Sequence, residues 1–185
     1  SAGKTFLICT FMAIVTSGSP WPDGQRAEQG CVIYFTTEDG IEDTISKRFR
    51  DNGGNPAFLC YYKSVANNLD HSNEEFVLQE VHLLEKLIDK IEVERGPVLM
   101  VVFDPISAFT GKIDENKNNQ VRSILSPLIR LAEAKNFVCI GITHPKKGAL
   151  MAGSAAEGVA GSSGYVNTAR RVWNVFYDKE TNQRY

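Results

Sequence analysis

The chain has 185 residues, enough for one sizeable hydrophobic core, with 43% apolar residues and a formal net charge of −2. That near-neutral balance excludes a chain-wide electrostatic footprint for nucleic acid, so any DNA or RNA contact must come from a local patch or an assembled ring. Cys9, Cys31, Cys60 and Cys139 lie in apolar stretches without metal-ligand spacing, which reads as buried thiols in a reducing cytoplasm.

Taken in order, the chain opens on Ser1-Ala2-Gly3-Lys4-Thr5, the back half of a phosphate-binding loop G-x-x-x-x-G-K-[ST] that runs into an apolar helix over residues 5–16. The apolar run 6–15 is about half the length of a membrane span and has no basic leader, so no membrane role is expected. The motif's first glycine and its leading strand would precede residue 1. On that ground the chain reads as one domain of a longer protein, numbered from inside its own loop. Residues 21–30 form a loop, and Cys31-Val32-Ile33-Tyr34-Phe35-Thr36 is a run of β-formers suited to a strand buried on both faces. A helix is expected over 41–50, with Asp39 and Glu42 spaced like a capping box and Asn52-Gly53-Gly54 as its stop.

Residues 57–62 have strand composition and are short enough to pair at an edge. After a polar loop at 67–73, Phe76, Val77, Val81, Leu84, Leu87, Ile88 and Ile91 recur at helical spacing, which predicts a helix over 74–93. Residues 98–103 make the most apolar strand, which ends at Asp104. A third long helix is expected over 118–135, with Pro127 placed to bend it. Further strands are expected at 137–143, buried, and at 172–177, with a Gly-, Ala- and Ser-rich loop over 146–164. This alternation predicts an α/β fold with a mostly parallel sheet and helices on both faces. In such folds ligands sit beyond the carboxyl ends of the strands.

The residues with chemical interest fall at those ends. Backbone amides opening the first helix, from Ala2, Gly3, Lys4, Thr5 and Phe6, would cradle phosphates; Lys4 would neutralise terminal oxygens, and the Thr5 hydroxyl would hold a magnesium ion. Asp104, closing a six-residue apolar run, is placed to serve the same ion from its second shell; its plainer role is to open the turn at Pro105. Glu38 lies just past the first buried strand, where a carboxylate could polarise an attacking water; its plainer role is a first-turn acid. His144, at another strand end, could sense the terminal phosphate. Arg48 could stack on an adenine, and Arg170 or Arg171 could reach phosphoryl-transfer charge, although helix arginines usually face solvent. Lys146 and Lys147 could touch a nucleic-acid backbone, or stand as a solvated loop tip.

The segments C-V-I-Y-F-T-T-E-D-G, V-V-F-D-P-I-S-A-F-T-G and A-R-R-V-W together resemble the RecA-type P-loop ATPases, and specifically the RepA-like hexameric replicative helicase group. The similarity covers nearly the whole chain, and its most specific part is Asp104-Pro105-Ile106-Ser107-Ala108-Phe109. The resemblance implies a RecA-like core, magnesium-dependent ATP hydrolysis and a six-membered ring. It matches Lys4 and Thr5 to the phosphate loop, Glu38 to the catalytic glutamate, Asp104 to the second acidic motif and His144 to the sensor. Arg48 matches an arginine that lies against the base, and Arg170 another the group usually carries. The group's H-L-N-K reads His144-Pro145-Lys146-Lys147 here.

Three functions compete on this reading. The first is a cytoplasmic ATPase motor on nucleic acid, single-stranded DNA among its partners, with ATP bound between subunits. The second is an ATP-dependent switch or assembly module without unwinding, which the neutral charge favours. The third is a small-molecule kinase, against which Glu38 stands, because a residue that activates water would waste ATP in a transferase.

Overall fold

The computed structural model describes residues 3–37, 41–62, 76–143, 163–175, 177–178 and 183–184; the side chains of 41–43, 163, 177–178 and 183–184 are outside the description. Four strands, β1 (Cys31–Thr36), β2 (Leu59–Tyr62), β3 (Val98–Asp104) and β4 (Val138–Gly141), pair in the order β2-β1-β3-β4, every pair parallel. Parallel neighbours need crossovers, and the helices supply them. Helices α2 (Ile41–Asp51), α3 (Val81–Arg95) and α4 (Asn118–Lys135) lie between successive strands, while α1 (Lys4–Ser17) precedes β1 and the short α5 (Ser163–Thr168) follows β4.

Period-two alternation sends the strands' side chains to two separate cores. Val32, Tyr34, Leu59, Met100 and Val102 pack with Ile8, Cys9, Met12, Ala13 and Val15 of α1 and with Ile45 and Phe49 of α2. On the other face Ile33, Phe35, Cys60, Val101 and Phe103 meet the apolar stripes of α3 and α4 and Tyr165 of α5. The sheet is therefore covered on both faces, as the alternating pattern predicts. A register shift between Cys31 and Val32 pairs Cys31 with Val98 and Val32 with Met100, which lets Val98 join the same core as Val101.

Helix ends follow local chemistry. Gly18 takes a left-handed φ of 66° and closes α1 through its N–H to Ile14 O. Gly54 N–H bonds Phe49 O at 3.0 Å, and a Cβ there would stand 2.3 Å from the Phe49 ring. Pro127 sits inside α4 without ending it.

Several expectations need correction. Residues 57–58 are not strand: Pro56–Phe58 is a 3-10 turn, because the Asn55 side chain accepts the Ala57 N–H and caps it. Phe76 and Val77 are not helical either. Val77 is extended, and Phe76 stacks on Phe35 with ring centres 5.6 Å apart, so aromatic packing overrides the helical spacing until a 3-10 turn at Leu78–Glu80 leads into α3. β4 is shorter than 137–143 and only partly buried, since among the described strands it is an edge. Of the expected loop, residues 146–162 lie outside the described residues; its end is helix α5, where Gly164 N–H donates to Asn118 Oδ1 at 3.0 Å. No strand forms over 171–175: Trp173 sets its ring edge-on against Phe11 of α1. Tyr177–Asp178 instead pairs antiparallel with Gln183–Arg184, apart from the main sheet. The Asp39 cap lies outside the described residues.

Candidate functional site

The first turn of α1 presents amide donors that no i−4 carbonyl of the helix can satisfy. Gly3 precedes it at φ 102°, a left-handed conformation that glycine adopts without strain, and Leu7 N–H closes the first helical bond on Gly3 O at 3.0 Å. No side chain caps this end, and the first turn holds no acidic residue. The positive end of the helix dipole is thus left for an anion. Lys4 and Thr5 are half-buried there, while Phe6 is exposed. Ala2 lies outside the described residues.

The carboxyl ends of β1 and β3 supply the second half of the site. Thr36 and Asp104 are register partners at these ends, 2% and 4% exposed. Asp104 follows Met100 and Val102 at period two and so shares the sheet face that α1 covers. Burying a carboxylate is costly unless it is hydrogen-bonded. Tyr34, fully buried on β1, meets that cost by donating its hydroxyl to Asp104 Oδ2 at 2.6 Å, a length typical of a charge-assisted bond.

Cys9 of α1 reports on what surrounds it. Burial pushes its thiol up to about 11; the Arg48 guanidinium pulls it down and the Asp104 carboxylate pushes it up. Arg48 of α2 and Asp104 of β3 therefore both act electrostatically on one residue of α1. Helix α2 is held close by Thr10 Oγ1, which donates to Asn52 Oδ1 at 3.1 Å, while Asn52 Nδ2 bonds Arg48 O at 2.7 Å.

Glu38 and His144 lie outside the described residues, although the segments leading to both are fixed. Thr36 ends β1 beside Asp104. Beyond β4, Ile142 N–H donates to Phe103 O and Ile142 O accepts from Ile106 N–H, both at 2.9 Å, which pins that segment to the end of β3. Arg170 is engaged elsewhere: its guanidinium pairs with Glu133 of α4 on the surface. Arg171 is exposed, and Lys146 and Lys147 lie outside the described residues.

The donor set suits magnesium. Among the described residues no group of three or more His, Cys, Asp or Glu side chains could hold a metal unaided. Magnesium needs no such cage, because it keeps several waters and is held by one or two carboxylates together with substrate phosphates. The Thr5 hydroxyl and the Asp104 carboxylate could offer hard oxygens of the kind that mode requires. Tyr34, which donates to Asp104, is the residue beside this candidate site that sequence reasoning missed. Its signal was a phenol hydroxyl in the middle of a mostly apolar strand, which must find a partner once buried.

A family model described as an AAA domain matches residues 1–149. No curated protein matches the chain. Among the described residues no helix is long and apolar enough to cross a membrane.

Proposed function

Because the chain belongs to the AAA domain family, which is of P-loop ATPase type, we propose that it binds ATP with magnesium at the amino end of α1 and hydrolyses it as a RecA-like, helicase-type motor. The observation that carries this reading is the sealed Asp104 carboxylate at the end of β3, on the face covered by α1 and fixed by Tyr34. The uncapped start of α1 supports it as an anion cradle.

In this reading Ala2, Gly3, Lys4, Thr5 and Phe6 wrap the phosphates, and Thr5 with Asp104 would hold magnesium. Bound there, the ion would neutralise charge that develops on the phosphate oxygens. Glu38 orients and deprotonates the attacking water, and His144 senses the terminal phosphate. Arg48 lies against the base, and Arg170 contacts the bound nucleotide once it leaves Glu133. The chain is a single ATPase domain that works in the cytoplasm as part of a six-membered ring on single-stranded DNA. The net charge of −2 favours one further reading, an ATP-driven assembly switch without unwinding.

The test is phosphate release by the full-length protein with and without single-stranded DNA. Lys4→Ala and Glu38→Gln should each lower turnover by roughly 100-fold or more. A Lys4→Ala protein that hydrolyses ATP at the wild-type rate would refute the site. Slow turnover indifferent to DNA, with assembly that follows nucleotide occupancy, selects the switch.

A further inference from the structure

We propose that Tyr34 is a positioning residue for the metal-facing carboxylate: by holding Asp104 Oδ2 it presents Oδ1 to the magnesium end of the nucleotide. The inference rests on the nucleotide-site reading above and adds a residue which that reading does not need. An aspartate's terminal torsion is broad and roughly two-fold, so backbone placement alone does not fix where its two oxygens point. At Asp104 the hydroxyl of Tyr34 fixes it, at 2.6 Å.

Tyr34 is well suited to the task because it cannot move. Its ring is fully buried on a central strand, packed among Cys9, Met12 and Val102 of one core. Tyr61 of β2 meets it edge-on at 6.1 Å and 80°, and Ser46 of α2 donates to the Tyr61 hydroxyl at 3.2 Å. The carboxylate is thus referenced to β1, β2 and α2 as well as to its own strand. Two effects of the hydroxyl oppose each other. Donating to the carboxylate withdraws charge and weakens its pull on a cation, whereas fixing its orientation strengthens a contact made through bound water. Orientation dominates, because partners of this kind typically change metal affinity by about 10- to 100-fold.

The experiment uses full-length protein saturated with ADP and titrated with Mn2+, free ion being read by electron paramagnetic resonance. Tyr34→Phe keeps the ring and removes the hydroxyl; it should weaken Mn2+ binding about tenfold, the low end of that range because the two effects oppose, while ADP affinity in EDTA stays at the wild-type value. In an Asp104→Asn background the same change should add less than about twofold, since no charged carboxylate remains to be oriented. Tyr34→Leu replaces Tyr34→Phe if the latter is insoluble, and ligand-free melting curves confirm folding. Mn2+ binding by Tyr34→Phe as tight as wild type or tighter overturns the role of Tyr34 and leaves the nucleotide site standing. An equal loss in the Asp104→Asn background also overturns it, marking a purely structural effect. Wild-type protein that binds neither ADP nor Mn2+–ADP overturns the nucleotide site, and this inference with it.

Discussion

Tyr34 and Asp104, 70 positions apart in sequence, meet through a 2.6 Å hydrogen bond between neighbouring strands of the sheet. Asparagine at 104 keeps an acceptor for Tyr34 and removes the charge, whereas alanine removes both. Asp104→Asn should therefore fold nearly as well as wild type and lose roughly 100-fold or more in hydrolysis. Asp104→Ala should lose the same activity and also about 1–3 kcal/mol of stability. Denaturant melts beside phosphate-release assays separate the two; equal stability of the variants would remove the hydrogen bond from the account.

Thr16 joins the end of α1 to the turn before β2. Its side chain is fully buried, donates to Met12 O at 2.8 Å and accepts the Asn55 N–H at 3.1 Å. Thr16→Val keeps the shape but leaves that N–H without its acceptor. A loss of about 1–3 kcal/mol in urea unfolding is expected, with faster hydrogen exchange at the Asn55 amide. Unchanged exchange there would contradict the contact.

Alkaline pH should weaken the fold through Cys9. Unfolded, the thiol ionises near its ordinary 9.0; folded, it holds its proton until about 11. Over that window the folded state binds more protons than the unfolded one, so stability complete below pH 9 declines as pH rises toward 11. Two units correspond to on the order of 3 kcal/mol at most. Thermal melts from pH 8 to pH 10.5 should fall less steeply for Cys9→Ala than for wild type, even if that variant starts lower because of the cavity it creates.

Gly54 is constrained by the ring beside it. Any Cβ at this position would stand 2.3 Å from Cε2 of Phe49, which is itself packed in the α1 and α2 core. Gly54→Ala should cost about 1–3 kcal/mol by overpacking. Adding Phe49→Leu should cost less in that background than in wild type, and strict additivity of the two changes would argue against the clash.

The strand Cys31–Thr36, the helix Asn118–Lys135 and the parallel sheet were legible because each element's pattern and its packing agree. Phe76 and Val77 misled because apolar spacing records that residues are buried without saying in what: both fit a helical stripe, yet Phe76 is held by Phe35 and Phe109. The stretch around Trp173 misled in the reverse sense: its composition is β-forming, yet residues 171–175 are not strand and Trp173 packs edge-on against Phe11 instead. At the site, Lys4, Thr5 and Asp104 carry their own motif. Tyr34 does not, because its role exists only once two distant strands lie side by side.

The same all-parallel order has a kinetic side. β1 pairs with β2 and β3, and each of those partners is reached only through a crossover, so no strand of the main sheet can close on its successor as a hairpin. Until β3 has been synthesised, the six apolar residues that precede Asp104 cannot shield the flank of β1. A nascent chain would expose that flank until then, which slows assembly of the sheet relative to its helices.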